Sequence, residues 1–306
     1  MSIEWKGVFP ALTTKFTKDD NIDFDLQAKN LEAQLVAGVN GIILGGTLGE
    51  SSVLTNEEKE ALVRFNVEQV NGRVPVVINI AEGSTKEAIR LAQAAEQWGA
   101  KGLMMLPPMR YKPDHRECVT YFTTVAKSTS LPIMIYNNPV DYKTEVTLDM
   151  FEEMIACDNI QAIKESTRDL SNVTRLINRF GTRLKILSGV DTIAMEELLM
   201  GADGWVGGLV CAFPAETVAL YRLIKAGRIQ EALNIHRWFL PLLELDIHSK
   251  LVQYIKLAET QTGIGSEYVR APRLELIGDE RKVVLDIINT GIKNRPSLPD
   301  YLSLPA

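Results

Sequence analysis

Gly7-Val8-Phe9-Pro10-Ala11-Leu12-Thr13-Thr14 is the stretch on which the fold turns. It opens the chain's first apolar run, where an open dinucleotide-binding sheet would follow its first strand with G-x-G-x-x-G. Here the run passes into Leu12-Thr13-Thr14 instead. Working outward, short apolar runs rich in β-branched residues recur at 7–10, 41–45, 75–81, 102–106, 133–136, 160–164, 185–188 and 204–207. They lack polar alternation, as parallel strands covered on both faces do. Each is followed by a segment of helical period. Eight strand–helix units in a row predict an α/β chain closed as a (β/α)8 barrel rather than an open doubly wound sheet.

The helices carry readable punctuation. Thr55-Asn56-Glu57-Glu58 and Ser84-Thr85-Lys86-Glu87 fit the capping box, Asp114 and Thr147 are candidate N-caps, and Gly38, Gly72, Gly99 and Gly181 sit at helix stops. Past Gly227 the strands cease, and 228–246, 248–262 and 279–294 read as helices. The expected organisation is a barrel over 1–227 with a C-terminal helical extension over 228–306.

The chain has 306 residues, of which 46% are hydrophobic and 24% charged, the balance of a globular enzyme. A net charge of −6 argues against nucleic acid as a partner, since phosphate binding needs a basic surface. No apolar run approaches the length of a membrane span. The opening MSIEWKGVFPALTTKF carries acid and tryptophan where a signal peptide needs an apolar core. Cys118, Cys157 and Cys211 are irregularly spaced and imply no disulfide framework. A cytoplasmic enzyme is the expectation. His115, His236 and His248 have no partner at ligand spacing, so no metal is assigned.

A barrel gathers its chemistry at the carboxyl ends of its strands. The sixth run ends in Lys164, followed by Glu165-Ser166. Burial there would lower the lysine's pKa toward a neutral amine able to condense with a carbonyl; the alternative is a lysine paired with Glu165 or another carboxylate. The neighbouring run ends in Tyr136, either an acid/base beside that amine or an aromatic packed at a strand end. Gly45-Gly46-Thr47-Leu48-Gly49-Glu50-Ser51-Ser52 is a glycine-rich loop that either offers backbone N–H groups to an anion or makes a tight turn into Thr55. Gly207-Gly208 has apolar flanks without a cation, suggesting close backbone approach to a small substrate rather than a phosphate clamp.

Together, Gly46-Thr47-x-Gly49-Glu50-Ser51, Tyr136-Asn137-x-Pro139 and Lys164-Glu165-Ser166 resemble the dihydrodipicolinate synthase / N-acetylneuraminate lyase family of class I aldolases, in order and spacing across the whole chain. The resemblance implies a cofactor-free TIM-barrel lyase whose Lys164 forms a Schiff base with a 2-oxo acid, with Tyr136 as acid/base and Thr47 relaying its proton. It implies that Gly46, Thr47 and Leu48 hold the substrate carboxylate, that Val206 lines the opposite side together with Gly189, and that the chain is a homo-oligomer, tetrameric in most such enzymes. Leu48 stands where synthases carry a second hydroxyl, and Asp141 where they carry an arginine. Asp191 falls where lyase-like members keep an acid for substrate hydroxyls. The tyrosine that a neighbouring subunit contributes has no clear counterpart in Pro107-Pro108-Met109-Arg110-Tyr111. The stretches 136–144, 204–214 and 266–274 resemble a subgroup associated with hydroxyproline breakdown, implying deamination of 1-pyrroline-4-hydroxy-2-carboxylate to 2-oxoglutarate semialdehyde. The alternatives are dihydrodipicolinate synthesis from pyruvate and aspartate semialdehyde, a 2-keto-3-deoxy sugar acid or N-acetylneuraminate-type aldolase, and a catalytically silent barrel that binds ligand.

Overall fold

The computed structural model describes residues 3–305. Of the two expected segments, Met1, Ser2 and Ala306 lie outside it. Its strands are β1 (Gly7–Pro10), β2 (Ile42–Leu44), β3 (Val76–Ile80), β4 (Gly102–Met105), β5 (Ile133–Asn137), β6 (Ile160–Glu165), β7 (Lys185–Ser188) and β8 (Gly204–Gly207). All are parallel to their neighbours, in the order β1-β8-β7-β6-β5-β4-β3-β2. Beyond β1, Ala11 bridges to Ile43, and Leu12 N–H donates to the Ile43 carbonyl at 2.9 Å. That contact joins the two ends of the sheet, so the fold is a (β/α)8 barrel. The strand runs are apolar because the barrel interior covers one face and the helices the other.

Local signals place the helices. Thr55 and Asp114 each form a complete capping box, with Glu58 and Glu117 respectively. Ser84 caps Glu87 N–H, but the Glu87 carboxylate turns to Arg90 at 2.8 Å, so the expected box is half formed. In the tail the helices are Ile229–Leu243, Leu251–Gln261 and Gly278–Lys293. The first ends three residues before the expected 246, and Glu244–Ile247 tightens into a 3-10 turn. Among the described residues no helix is long and apolar enough to cross a membrane.

One register detail positions the chemistry. β5 and β6 pair Ile133 with Ile160 but Met134 with Ala162, so Gln161 is an extra residue. Such a bulge shifts every later pair by one and restores a common face. Tyr136 is thereby set opposite Lys164 rather than Ile163.

Candidate active site

Lys164 and Tyr136 meet at the carboxyl end of the barrel. Lys164 is buried and its Nζ lies 4.0 Å from the centre of the Tyr136 ring. Glu165, the other partner considered for it, belongs to the next position along the strand. Its carboxylate accepts from Thr167 N–H at 2.8 Å and Asn172 Nδ2 at 2.9 Å. Lys164 forms no ion pair among the described residues. Burial lowers the pKa of its amine; Asp246, Tyr142, Asp191 and Asp141 pull the other way.

The Tyr136 oxygen accepts from Asn138 Nδ2 at 3.0 Å, leaving its own hydrogen free to donate. The same amide reaches Asp141 Oδ2 at 2.7 Å, so Asn138 ties the phenol to that carboxylate. Burial raises the Tyr136 pKa, keeping the hydroxyl protonated.

The Gly46–Glu50 loop is braced by bonds from Glu50 N–H to the Thr47 carbonyl and from Ser51 N–H to that of Gly46. Among the described residues these leave the Thr47 and Leu48 amides without intrachain partners, open to an anion. The Thr47 hydroxyl pairs with Tyr142 OH at 2.5 Å, not with Tyr136. Tyr142 stands edge-on to Tyr136, ring centres 5.6 Å apart, and burial pushes its phenol up to about 12. Sequence reasoning passed over Tyr142; its signal was a second aromatic one short turn after Asn137-Asn138-Pro139.

Gly46, Thr47, Leu48, Tyr136, Asp141, Lys164, Gly189 and Val206 all line one cavity. Asp191 does not. Its fully buried carboxylate accepts from Trp205 Nε1 at 2.9 Å, Gly208 N–H at 3.2 Å and Leu209 N–H at 2.7 Å, which commits it to the loop after β8. Burial is the main cause raising its pKa, and those three donors offset it. In this arrangement Asp191 braces the loop after β8 behind the cavity wall.

Gly189 serves the lysine. A Cβ there would lie 2.1 Å from Ser166 Oγ and 2.7 Å from Lys164 Cγ, so only glycine lets the lysine stem pass. Gly208, expected to admit substrate, lines the cavity and also admits protein: a Cβ would lie 2.0 Å from Asp246 Oδ1 and 2.8 Å from Leu48 Cδ1. Asp246 and Arg168 also line the cavity, and neither was visible in the sequence. Arg168 holds the left-handed backbone at φ 65° in the middle of the loop after β6.

The histidines lie apart from this cavity. His115 pairs with Glu153 at 2.6 Å, His236 is buried in the tail, and His248 stacks on Tyr254.

Comparison with known proteins agrees with this geometry. The profile of the dihydrodipicolinate synthetase family matches residues 4–290. A 4-hydroxy-tetrahydrodipicolinate synthase of Methanococcus maripaludis is 32% identical over 288 residues, 93% of this chain and 98% of that protein. The synthase of the same name from Aquifex aeolicus is 29% identical, covering 95% and 100%. The crystal structure of a dihydrodipicolinate synthase from Bacillus anthracis superposes with a TM-score of 0.91 at 28% identity, covering 96% of this chain and 100% of that one. The chain belongs to the dihydrodipicolinate synthetase family, and is an enzyme of the Schiff-base, class I lyase type.

Proposed function

We propose that Lys164 condenses with C2 of a small 2-oxo acid or cyclic imino acid, with Tyr136 as the acid/base beside it. The observation that carries this reading is the buried, unpaired amine 4.0 Å over a tyrosine ring whose hydroxyl hydrogen is free. Burial depletes the ammonium form and so supplies the nucleophile. Tyr136 donates its proton to the group leaving C2 and then, as phenolate, accepts one from C3. The Gly46-Thr47-Leu48 loop takes the substrate carboxylate on its free amides, facing Gly189 and Val206. With the Thr47 hydroxyl held by Tyr142, protons pass outward along the Thr47–Tyr142 pair.

For the substrate, the cavity's acids support 1-pyrroline-4-hydroxy-2-carboxylate. Asp141 and Asp246 line the wall, where a substrate hydroxyl can meet them, and Leu48 offers no hydroxyl, so the substrate carboxylate leans on the loop's backbone amides. Lys164 would displace the ring nitrogen at C2. Loss of the 4-hydroxyl would follow, a proton would move from C5 to C3, and the resulting C4–C5 enamine would tautomerise to an imine at C5. Hydrolysis of that imine and of the Lys164 imine would release ammonia and 2-oxoglutarate semialdehyde. The second reading is synthesis of 4-hydroxy-tetrahydrodipicolinate from pyruvate and aspartate semialdehyde. The names of the relatives support it more directly than they support the first.

A substrate panel followed for ammonia, for pyruvate release and for condensation product decides between them. Ammonia from the pyrroline supports the first. Efficient condensation without it restores the synthase. We further read the chain as a cytoplasmic homo-oligomer, a tetramer, which sedimentation at several concentrations tests.

A further inference from the structure

The cavity beside Lys164 contains an acid brought from outside the barrel. Asp246 lies in the 3-10 turn Glu244–Ile247, beyond the last strand, and reaches the cavity over Gly208. Its Oδ1 is buried and has no hydrogen-bond partner among the described residues. Asp191, its neighbour, has three donors; among the described residues Asp246 has none. A buried carboxylate oxygen left without a donor is costly, and in a side chain that faces a cavity a ligand is the natural group to complete it.

We propose that Asp246 is a further catalytic residue, meeting the substrate chain beyond the imine carbon and giving the proton with which a 4-hydroxyl departs as water. This rests on the Schiff-base reading above. With the substrate joined to Lys164 at C2, the Tyr136 phenolate removes a C3 proton to give the enamine. The enamine pair then forms the C3–C4 double bond while the C4–O bond breaks, its electrons passing to oxygen. Oxygen takes the Asp246 proton and leaves as water; Asp246 regains a proton from Tyr136, so one hydrogen from C3 and one hydroxyl from C4 are lost in sum. Asp246 is suited to the acid's part in its ground state. Burial first, then the nearby Asp191, raise its pKa well above the usual carboxylate range, with Asp141 adding to this and Lys164 and Arg168 opposing it. The substrate class follows: a 2-oxo acid, or its cyclic imine, with a hydroxyl on C4.

Asp246→Asn keeps the shape and removes the transferable proton. In the wild type, borohydride with pyruvate is expected to fix one adduct on Lys164, and the pyrroline to release ammonia. No adduct would defeat the Schiff-base reading; an adduct without ammonia would defeat the substrate reading and the elimination step with it. In the variant, trapping with pyruvate should stay within about twofold of wild type, while ammonia release falls by roughly 10²–10⁴. Its melting temperature should stay close to that of the wild type, since the amide keeps the side chain's shape. Unchanged ammonia release would overturn the proposal and leave the Schiff-base reading intact. Loss of trapping together with turnover would also overturn it, showing that Asp246 only sets the lysine. Should the asparagine variant not fold, Asp246→Ala is read the same way. If neither folds, the carboxyl is structural and the proposal falls.

Discussion

At the scale of single residues, the reactivity proposed for Lys164 rests on how it is confined. Its stem threads past Gly189 and its amine rests on a ring rather than on a carboxylate. Gly189→Ala would place a methyl 2.7 Å from Lys164 Cγ, closer than real carbon contacts allow, so the stem must move. We expect borohydride trapping at Lys164 to fall by about 100-fold with the circular dichroism spectrum unchanged, on the principle that small misplacement of a reacting group is costly. Trapping at the wild-type rate would show that the confinement is unimportant. The pH dependence of trapping follows from the lowered pKa. The neutral amine reacts, so the rate rises with pH through the amine's own pKa and levels above it. The half-rise should lie below the ~10.4 of an ordinary lysine. A half-rise near that value would mean the amine is solvated as the free protein binds ligand. Tyr136→Phe preserves the ring under the amine and removes only the hydroxyl, so turnover should drop by roughly 10²–10⁴ while Lys164 keeps its position.

At the scale of elements, the site depends on how strands and tail are set against one another. The strand runs and their order were legible in the sequence because a parallel strand buried on both faces is apolar throughout. The strand ends then pointed to Lys164 and Tyr136. What stayed hidden is register: nothing in Ile160-Gln161-Ala162 announces that Gln161 is looped out, yet without that bulge Tyr136 would face Ile163. Asp246 stayed hidden for a related reason. It continues a helical pattern in sequence, and only the tightening at Glu244–Ile247 turns it into the cavity. Glu50 read as part of an anion loop, whereas its buried carboxylate accepts from Lys256 Nζ at 2.5 Å and Arg270 N–H at 3.1 Å. This fastens the loop to the tail helix Leu251–Gln261, with Thr14 holding the Gly49 carbonyl at 2.7 Å from the barrel side. Glu50→Gln leaves the Lys256 ammonium buried without its counter-charge, which costs about 3–5 kcal/mol. Urea unfolding should show that loss, and the double variant Glu50→Gln, Lys256→Met should recover most of it. Equal stability of the single variant and the wild type would mean the loop is held by its backbone alone.

At the scale of the whole molecule, barrel and tail share one core. Phe213 at the end of the barrel stacks edge-on against Trp238 and Phe239 of the tail, and Leu242, Ile255 and Ile288 belong to the same buried cluster as the strands. The expected division after Gly227 is thus crossed by continuous packing, and a single cooperative transition should report on both parts. That makes the effect of one buried group on the whole molecule measurable. Glu197 lies in the helix Ala194–Leu199, against β7 and β8, with both carboxylate oxygens buried and unpartnered among the described residues. Burial, together with Glu165 and Glu196 nearby, pushes its pKa up to about 8. The native state therefore keeps a proton that the unfolded chain releases near the ordinary glutamate value. Between those two values the native state binds more protons, so stability falls as pH rises. The contribution is whole below the unfolded pKa and gone above about 8. The full shift corresponds to the order of 4–5 kcal/mol. Glu197→Gln has no proton to lose, while other titrating groups remain in both proteins and cancel in the difference. Melting curves from pH 5 to pH 9 should show the wild type losing stability relative to Glu197→Gln across that range, with the variant the more stable at the alkaline end. If the two curves run parallel, Glu197 is ionised in the native state and finds a partner there.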